Sequence, residues 1–421
     1  MLPEVSVDSS FWFPNAKHIN DVLRDSWGVE STVLRCLATD RPDLRKVFVA
    51  HSQYPVRPPS GMSWINTSSI ASLPFSNPGH QKLACSWLAG DANAGLFAQD
   101  PLWASPVWIA EASAWISGRI AALDHTIIGS PEQVKSWSIS SVLRVKTSGG
   151  FFYFKAVPPH FQHEPRITLQ LSILFPTLMP RVVAIDPDRR WLLMREFAGP
   201  ALRRSTDLAD WAHTLRTFAQ LQIDCISRTE ELLAWGCADR RIGVLASQAQ
   251  ALMWEMTDLD ALCTYCLSPD DAASLRARAP EIDALCRQLS GFGISETLIH
   301  GDLHGGNVSR EKTGDSHRTL FFDWTDAAVS HPFFDLQTML QEEWIQNDPN
   351  TVATLQDAYL EPWSALHPGE TLIDAYTAAR KLAPLHHAIS YRGIVQSLSP
   401  SAYWEHAESV GHFLRRLLAG L

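Results

Sequence analysis

The spacing of apolar residues divides the chain into three regions. Residues 1–104 alternate short apolar runs, at 33–37 and 47–50, with loops rich in Pro, Ser, Gly and Asn. Residues 105–198 begin with apolar positions every three or four residues and continue with alternating runs, which predict one helix followed by strands. From residue 199 onward the spacing is mostly helical. The pattern therefore predicts an α+β protein with an accessory α+β domain (1–104), a small lobe with an antiparallel sheet (105–198) and a larger helical lobe (199–421).

Periodicity and turn residues place the individual elements. In the small lobe we expect a helix over 107–123 and strands over 133–138, 142–147 and 151–157. The Gly149-Gly150 pair predicts a hairpin between the last two strands, and Ser140 and Ser141 are predicted to lie in the turn between the first two. A helix over 163–174 and strands over 181–185 and 191–197 complete this lobe. The helices predicted for the larger lobe cover 205–225, 241–256, 271–288, 334–347, 351–363, 371–398 and 402–418.

Composition is that of an ordinary globular protein, with 46% apolar and 19% charged residues among 421. The N-terminus has no basic and apolar signal-peptide pattern, and no apolar run approaches the roughly 18 residues of a membrane span. The seven cysteines are scattered, and the lone Cys263-x-x-Cys266 pair is better explained by helix packing than by metal or redox chemistry. We therefore expect a cytoplasmic protein without a membrane partner, and no obligate protein partner is evident.

Charge is unevenly distributed. Residues 201–421 contain 29 acidic and 17 basic side chains, while the whole chain has a net charge of −10. This acidity disfavours nucleic acid as a partner. An acidic cleft would favour a cationic, amine-bearing substrate, and simple solvation of helix faces explains the same excess equally well. Both explanations stay open at this point.

The strongest candidate chemistry lies in residues 300–336. The stretch His300-Gly-Asp302-Leu-His304-Gly-Gly-Asn307 is followed by Asp323 at the end of a short apolar run. Phosphoryl transfer from ATP needs a carboxylate to orient the attacking hydroxyl, and an amide and a second carboxylate to hold Mg²⁺. Asp302, Asn307 and Asp323 have these chemistries in order, at the spacing of a kinase catalytic loop. Turn geometry could explain each residue alone, but their agreement favours Asp302 as the catalytic residue and Asn307 and Asp323 as metal ligands.

A cation that reaches the phosphates is predicted in the small lobe. Lys155 ends the third strand, and Glu164 on the following helix is the first carboxylate available to pair with it. Taken singly, Lys155 could be an exposed strand-end lysine, and Glu164 could be a helix-start residue that favours the dipole. The order strand, turn, strand, lysine, helix, glutamate favours a nucleotide-binding pair.

Two further segments are predicted to contact the nucleotide. No G-x-G-x-x-G motif is present, but hydroxyls and backbone N–H groups around Ser140 and Ser141 could contact phosphate oxygens. A plain turn is the alternative interpretation. Backbone groups of Glu196 and Phe197, in the segment that joins the two lobes, are expected to contact adenine.

The distance between two acidic residues limits the acceptor. From Asp323 to Asp335 there are only twelve positions. A protein kinase needs a long activation segment and an A-P-E motif at this point to hold a peptide, and neither fits. The acceptor is therefore predicted to be a small molecule, and Asp335 is predicted to start a helix and brace the catalytic loop.

These motifs resemble the aminoglycoside phosphotransferase and choline kinase superfamily. The resemblance rests on residues 300–307, on Phe322-Asp323-Trp324 and on the short step to Asp335, and it covers residues 105–420. It implies a bilobal protein-kinase-like fold, ATP as the donor with GTP as the alternative, and Mg²⁺. Residues 1–104 lie outside it; their layout resembles a Nudix fold but lacks the Glu-rich helix, so we expect a scaffold or lid and no hydrolase.

The predicted function is transfer of a phosphoryl group from ATP to a hydroxyl of a small molecule, such as an aminoglycoside or another amine-bearing compound. The alternative is an inactive nucleotide-binding pseudokinase or interaction module. The presence of Lys155, Asp302, Asn307 and Asp323 together disfavours this alternative, because an inactive protein has no chemical need for all four.

Overall fold

The chain forms two compact units in a computed structural model that describes residues 12–40, 45–52, 57–58, 61–92, 101–254, 267–313 and 316–421. The first unit comprises Met1–Pro159, Trp191–Met194 and Ser397–Tyr403, and the second comprises His160–Arg190, Arg195–Gln396 and Trp404–Leu421. None of the described helices combines the length and apolar character needed to cross a membrane. Cys263 and Cys266 lie outside the described residues. The division into domains at residues 104 and 198 stays a prediction.

The N-terminal half of the chain contains most of the strands. In chain order its elements are α1 (Ala16–Trp27), β1 (Ser31–Asp40), β2 (Arg45–Ser52), α2 (Pro78–Ala92), α3 (Pro106–Ala121), β3 (Glu132–Trp137), β4 (Ser140–Thr147), β5 (Gly150–Ala156), α4 (Glu164–Leu174), β6 (Val182–Asp186) and β7 (Trp191–Arg195). The predicted helix and strands of residues 107–197 are confirmed within a few residues. Helices α1 and α2 were not predicted.

The sheet of the first unit places β3, β4, β5 and β7 side by side in that order. The β3–β4 and β4–β5 pairs are antiparallel, and Gly149-Gly150 turn β4 into β5 as predicted. Helix α3 packs on this sheet through aromatic rings, with Trp115 and Trp191 lying 5.9 and 5.5 Å from Phe154. These side chains are buried, so the aromatic residues that gave α3 its helical spacing form the core of this unit.

The first strands of the chain are tied to the same unit through one glutamine. Gln133 on β3 accepts a hydrogen bond from the backbone N–H of Val33 at 2.8 Å and donates one to the carbonyl of Val33 at 2.8 Å. Its amide thus satisfies the donor and acceptor that a neighbouring strand would satisfy. Ala16 and Ile19 of α1 pack against Val33 in a small separate core.

The C-terminal half is mostly helical. Its elements are α5 (Leu208–Asp224), α6 (Thr229–Trp235), β8 (Ala238–Asp239), α7 (Ile242–Trp254), α8 (Pro269–Ala277), α9 (Ala279–Gly291), β9 (Thr297–Ile299), β10 (Val308–Thr313), β11 (Ser316–Phe321), β12 (Ala328–Ser330), α10 (Phe333–Met339), α11 (Glu343–Gln346), α12 (Pro349–Leu360), α13 (Gly369–Ser397) and α14 (Ala407–Gly420). Strands β8, β12 and β9 form one small sheet, and β10 and β11 form a hairpin.

Three predicted helices of this half were wrong in extent. The helix predicted over 271–288 is two helices, because the chain leaves helical geometry at Arg278 just before Pro280, which has no N–H to donate. The helix predicted over 334–347 is also two, α10 and α11. The last helix starts at Ala407, five residues later than predicted, after a 3-10 turn (Pro400–Glu405). Helix α13 continues through Pro384 as one element, as predicted.

Candidate active site

The candidate catalytic loop, residues 300–307, connects two buried strands of the second unit. Strand β9 leads into it at Ile299, and β10 leaves it at Val308. The hairpin partner β11 then returns the chain, and the N–H of Phe322 donates to the carbonyl of Asn307 at 3.1 Å. This backbone contact brings the residue before Asp323 beside the end of the loop. Asp323 lies sixteen positions after the end of the loop in the sequence, and strand pairing brings the two together.

Asp302 is the exposed carboxylate of the loop. Its side chain is 43% exposed, and the amide nitrogen of Asn307 donates to its carbonyl at 3.0 Å and lies 3.4 Å from its Oδ2. Desolvation acts to raise the pKa of Asp302, but the hydrogen bond to His304 and the electrostatic attraction of nearby histidines outweigh it, so the pKa lies below its usual value. Asp302 is therefore an ionised hydrogen-bond acceptor at neutral pH.

His304 holds Asp302 in a defined hydrogen-bonded arrangement. Its Nδ1 receives the backbone N–H of Gly306 at 2.9 Å and lies 2.6 Å from Nη2 of Arg203. Both of these groups are donors, so Nδ1 must be the acceptor and the ring proton must sit on Nε2. Nε2 lies 3.5 Å from Oδ2 of Asp302, and the resulting N–H faces the carboxylate. Arg203 was missed from the sequence, because nothing local signals a contact across 101 positions.

Two glycines of the loop sit where no side chain fits. Gly301 has a φ of 80°, and a Cβ there would lie 2.2 Å from the carbonyl oxygen of Asp326. At Gly305 a Cβ would lie 2.6 Å from the ring of Trp211. The glycines in the motif thus allow close approach of the loop to its surroundings.

Asp335 braces the loop from the start of α10, as predicted. Its carboxylate accepts the N–H of His300 at 2.8 Å and the N–H of Gly301 at 3.0 Å. Nε2 of Gln222 lies 3.3 Å from the same carboxylate. Complete burial raises the pKa of Asp335 to about 7, although the two backbone hydrogen bonds act in the opposite direction. Tyr359 closes this buried network, with its hydroxyl 2.8 Å from the carbonyl of Pro332.

Asp323 adopts an unusual backbone conformation next to the loop. Its φ of 68° and ψ of 60° are left-handed, which Asp tolerates better than most residues. Its Oδ1 accepts the hydroxyl of Thr325 at 2.8 Å. The buried ring of His300 fixes the preceding residue, because its Nε2 lies 2.9 Å from the carbonyl of Phe322. Strain of this kind is typical of functional positions.

The donor set fits Mg²⁺ in its chemistry. The amide nitrogen of Asn307 is engaged by Asp302, which leaves the amide oxygen for a cation, and Asp323 supplies a carboxylate. Oxygen donors of this kind are the ligands that Mg²⁺ prefers. In the described part of the chain, no group of three or more His, Cys, Asp and Glu residues could hold a metal ion.

Of the residues predicted to contact the nucleotide, Lys155 and the two serines lie in the first unit. Lys155 is buried on β5, paired in register with Val142. The prediction that Ser140 and Ser141 form a turn is wrong, because they begin β4 and the turn is at residues 138–139. Ser140 accepts the indole N–H of Trp137 at 2.7 Å, which holds it in the strand. A phosphate contact for the two serines stays a prediction.

The other three predicted nucleotide residues lie in the second unit. Glu164 is buried and opens α4. Phe197 follows Glu196 in the segment after β7, and its ring lies 5.0 Å from that of Phe322, immediately before Asp323. This segment packs closely on β10, since a Cβ at Gly199 would lie 2.3 Å from the carbonyl oxygen of Arg310.

Residues 133–370 match the model of a protein family described as the phosphotransferase enzyme family. This match covers more than half of the chain. The chain belongs to the phosphotransferase enzyme family. The matched segment includes β3 to α12 and the whole candidate catalytic loop. No protein of curated function matches the sequence significantly.

One solved kinase structure is similar to this phosphotransferase in fold, and two further structures align with it at lower scores. Choline kinase LicA from Streptococcus pneumoniae is 11% identical, with a TM-score of 0.51, and the match covers 73% of this chain and 99% of that one. A choline/ethanolamine kinase family protein from Mesorhizobium loti is 14% identical, with a TM-score of 0.47 and coverage of 74% and 98%. An aminoglycoside-3'-phosphotransferase of type VIII is 19% identical, with a TM-score of 0.41 and coverage of 65% and 98%. At these identities the likeness to LicA concerns the fold alone.

The family confirms the resemblance inferred from the motifs and the predicted α+β kinase-like fold class. It also confirms the predicted enzyme class, a phosphotransferase with an alcohol group as acceptor. The donor, the metal and the roles of individual residues stay predictions.

Proposed function

We propose that this phosphotransferase transfers the γ-phosphoryl group of ATP, with Mg²⁺, to a hydroxyl of a small molecule. The observation that carries the proposal is the contact of Asn307 with Asp302 next to the backbone hydrogen bond that positions Asp323. The amide of Asn307 contacts Asp302, and the backbone next to Asp323 pairs with Asn307, which supports the roles that phosphoryl transfer requires of these three residues. GTP is the alternative donor, and the acidity of residues 201–421 suggests an amine-bearing acceptor as a first hypothesis.

Asp302 would accept a hydrogen bond from the acceptor hydroxyl. Its lowered pKa keeps it ionised at neutral pH, so it can orient the hydroxyl oxygen toward the γ-phosphorus. The oxygen–phosphorus bond forms as the bond from the γ-phosphorus to the bridging oxygen breaks. ADP leaves, and the hydroxyl proton passes to Asp302.

The remaining predicted residues would hold the nucleotide. Asn307 and Asp323 would bind Mg²⁺, which neutralises charge on the phosphates. Lys155 and Glu164 stay the predicted phosphate-binding pair, and Ser140 and Ser141 stay predicted phosphate contacts. Backbone groups of Glu196 and Phe197 would contact adenine.

The test is Mg²⁺-dependent ATP turnover in matched variants. Asp302→Asn is expected to lower kcat by roughly 10²- to 10⁴-fold, the usual contribution of a positioned acid or base, and to leave the affinity for Mg-ATP unchanged. Asp323→Asn is expected to raise the Mg²⁺ concentration needed for half-maximal turnover. Asp374→Asn, at an exposed position of α13, is the matched control and should match the wild type.

Two outcomes would contradict the proposal. Full turnover in folded Asp302→Asn protein would remove Asp302 from catalysis. Stabilisation by Mg-ATP without any turnover in the wild type would favour the nucleotide-binding pseudokinase instead.

A further inference from the structure

A group of polar side chains that the proposed chemistry does not use lies in the second unit. The group consists of His160, Arg240, His386, His387 and Tyr391, and we call it the histidine cluster. It joins a 3-10 turn (Pro159–Phe161), the segment after β8 and the middle of helix α13. Its five members therefore come from three sites that are far apart in the sequence.

His386 is buried without hydrogen-bond partners. Its relative exposure is 1%, and no group in the described part of the chain bonds either ring nitrogen. The rings of Phe334 and His387 lie 5.7 and 5.5 Å away. An imidazole always carries at least one N–H, and a buried polar group without a partner is unusual and costly. The free imidazole therefore points to a ligand that binds there.

Arg240 supplies a partly buried positive charge within electrostatic range of His386. Its backbone is fixed by a hydrogen bond from its N–H to Val329 at 2.9 Å, and its Nη1 donates to Gln248 at 2.6 Å. Among the described residues, no carboxylate lies within ion-pair distance of its guanidinium; Asp326 attracts it only at longer range. Burial lowers the pKa of Arg240 to about 10. A desolvated cation without an ion pair is a natural site for an anion.

The imidazoles lie within the electrostatic reach of this guanidinium. Arg240 contributes to lowering the pKa of both His386 and His160, after desolvation and a neighbouring histidine. His160 also packs against α13, since a Cβ at Gly393 would lie 2.9 Å from its ring. Gly393 and His386 are seven positions apart, so both lie on the same face of α13.

Two members of the cluster lie within electrostatic range of the Asp302 carboxylate. His387 and Tyr391 both interact electrostatically with Asp302, and Tyr391 also interacts with Asp326. Nε2 of His387 lies 2.9 Å from the hydroxyl of Thr338. Its ring stacks on Phe413 at 4.7 Å, and Phe413 also stacks on Tyr391. His387, which follows His386 on α13, thus links the cluster electrostatically to Asp302.

We infer that the acceptor carries an oxyanion, a carboxylate or a phosphate, that binds Arg240 and the imidazole of His386 and directs its hydroxyl toward Asp302. This inference rests on the proposed function. It replaces the hypothesis of an amine-bearing acceptor. Acidic residues that produced that hypothesis, such as Asp270, Glu281 and Glu370, are exposed on helix faces, where solvation explains them.

The test measures anion binding by the full-length protein. Sodium acetate and sodium phosphate are titrated against sodium chloride at equal ionic strength in the presence of Mg-ADP, and Tm is recorded. The Tm of the wild type should rise with one of the two oxyanions and not with chloride. A larger rise with acetate identifies a carboxylate as the bound group, and a larger rise with phosphate identifies a phosphate. Arg240→Gln should weaken the apparent affinity about 30-fold or more, and His386→Phe about tenfold.

The controls separate folding from binding. Arg287→Gln removes a 68% exposed arginine that pairs with Asp283 on α9, and it should bind the anion as the wild type does. Arg240→Lys keeps the charge and should keep part of the affinity, provided that the site binds anions. Equal stabilisation in Arg240→Gln and Arg287→Gln would mean an adventitious ion only and would overturn the inference.

An acceptor assay provides the second arm. Phosphorylation of 4-hydroxybutyrate, 4-hydroxybutyramide and 4-amino-1-butanol by labelled ATP is compared, and only the carboxylate is expected to compete with anion binding or to become phosphorylated. Preference for the amine would overturn the inference. Mg-ATP binding and hydrolysis, measured on the same samples, report on the proposed function separately, because they do not depend on Arg240.

Discussion

Replacing Asp335 by asparagine should make the stability of this protein less dependent on pH between about 4 and 7. The carboxylate of Asp335 is fully buried beneath the catalytic loop, where it accepts two backbone N–H groups and contacts Gln222. Burial raises its pKa to about 7, whereas an unfolded aspartate has a pKa of about 3.9. Asparagine has nearly the same shape and has no charge in either state.

The sign follows from proton binding. Because the folded pKa is above the unfolded pKa, the folded protein binds more protons than the unfolded chain between the two values. The contribution of Asp335 to the free energy of unfolding is therefore complete below about pH 4 and is lost as the pH rises to about 7. Three pKa units correspond to about 4 kcal/mol, an upper figure, because relaxation and water entry reduce the penalty in real proteins.

The assay is thermal or urea unfolding of wild type and Asp335→Asn at several pH values from 4.5 to 8. The other titrating groups contribute equally to both proteins, so their contributions cancel in the difference between the two free energies of unfolding. We expect the wild type to lose stability relative to the variant by about 1.4 kcal/mol per pH unit across the window, and to change little above pH 7. A difference that stays constant with pH would mean that the two backbone hydrogen bonds keep Asp335 ionised throughout, and it would refute the reasoning.

Three further predictions concern the loop and its surroundings. Gly301→Ala should abolish turnover and lower Tm, because the added Cβ would lie 2.2 Å from a carbonyl oxygen and the residue has a φ of 80°. Gly118 on α3 has open space around it, so Gly118→Ala should raise the free energy of unfolding by about 1 kcal/mol. His304→Ala removes a group that lowers the pKa of Asp302, so the acid limb of the pH profile of kcat/KM should move to higher pH. An acid limb that stays at the same pH would show that the contact between His304 and Asp302 does not lower this pKa. Burial lowers the pKa of His331 to about 3, so stability that is complete above pH 6.5 should be lost as the pH falls toward 3, and His331→Phe should weaken this acid sensitivity in Tm measurements.

Local spacing was sufficient to predict the catalytic loop. Asp302 and Asn307 are five positions apart, and the tight glycine-containing turn between them leaves few ways to place their side chains except side by side. The contact of Asp335 with the loop was also predictable, because only a few residues separate the short strand β12 from the helix that carries Asp335, and this keeps the start of the helix close to the loop. The helix of residues 106–121 and the strands after it followed from periodicity for the same reason: each depends on neighbours within a few positions.

Elements whose ends depend on tertiary contacts were predicted less well. Ser140 and Ser141 were assigned to a turn, but the hydrogen bond between Trp137 and Ser140 extends the strand over them. Proline ended one predicted helix early at Arg278, while Pro384 did not end another. A proline within a helix costs roughly 3 kcal/mol, and burial of the residues on both sides of Pro384 can offset that cost. Sequence spacing does not contain this information.

The sequence by itself identified a carboxylate, an amide and a second carboxylate in the order and spacing of a kinase catalytic loop, and it left too few residues after Asp323 for a peptide-binding segment. Only the tertiary structure decided what surrounds that chemistry. It placed Arg203 on His304 across 101 positions, and it packed His160 against Gly393 of α13 across 233 positions. The physical reason is that side chains at short spacing meet through local backbone geometry, whereas distant ones meet only when strands and helices pack. The histidine cluster is built from such distant residues, so it became visible only in the fold.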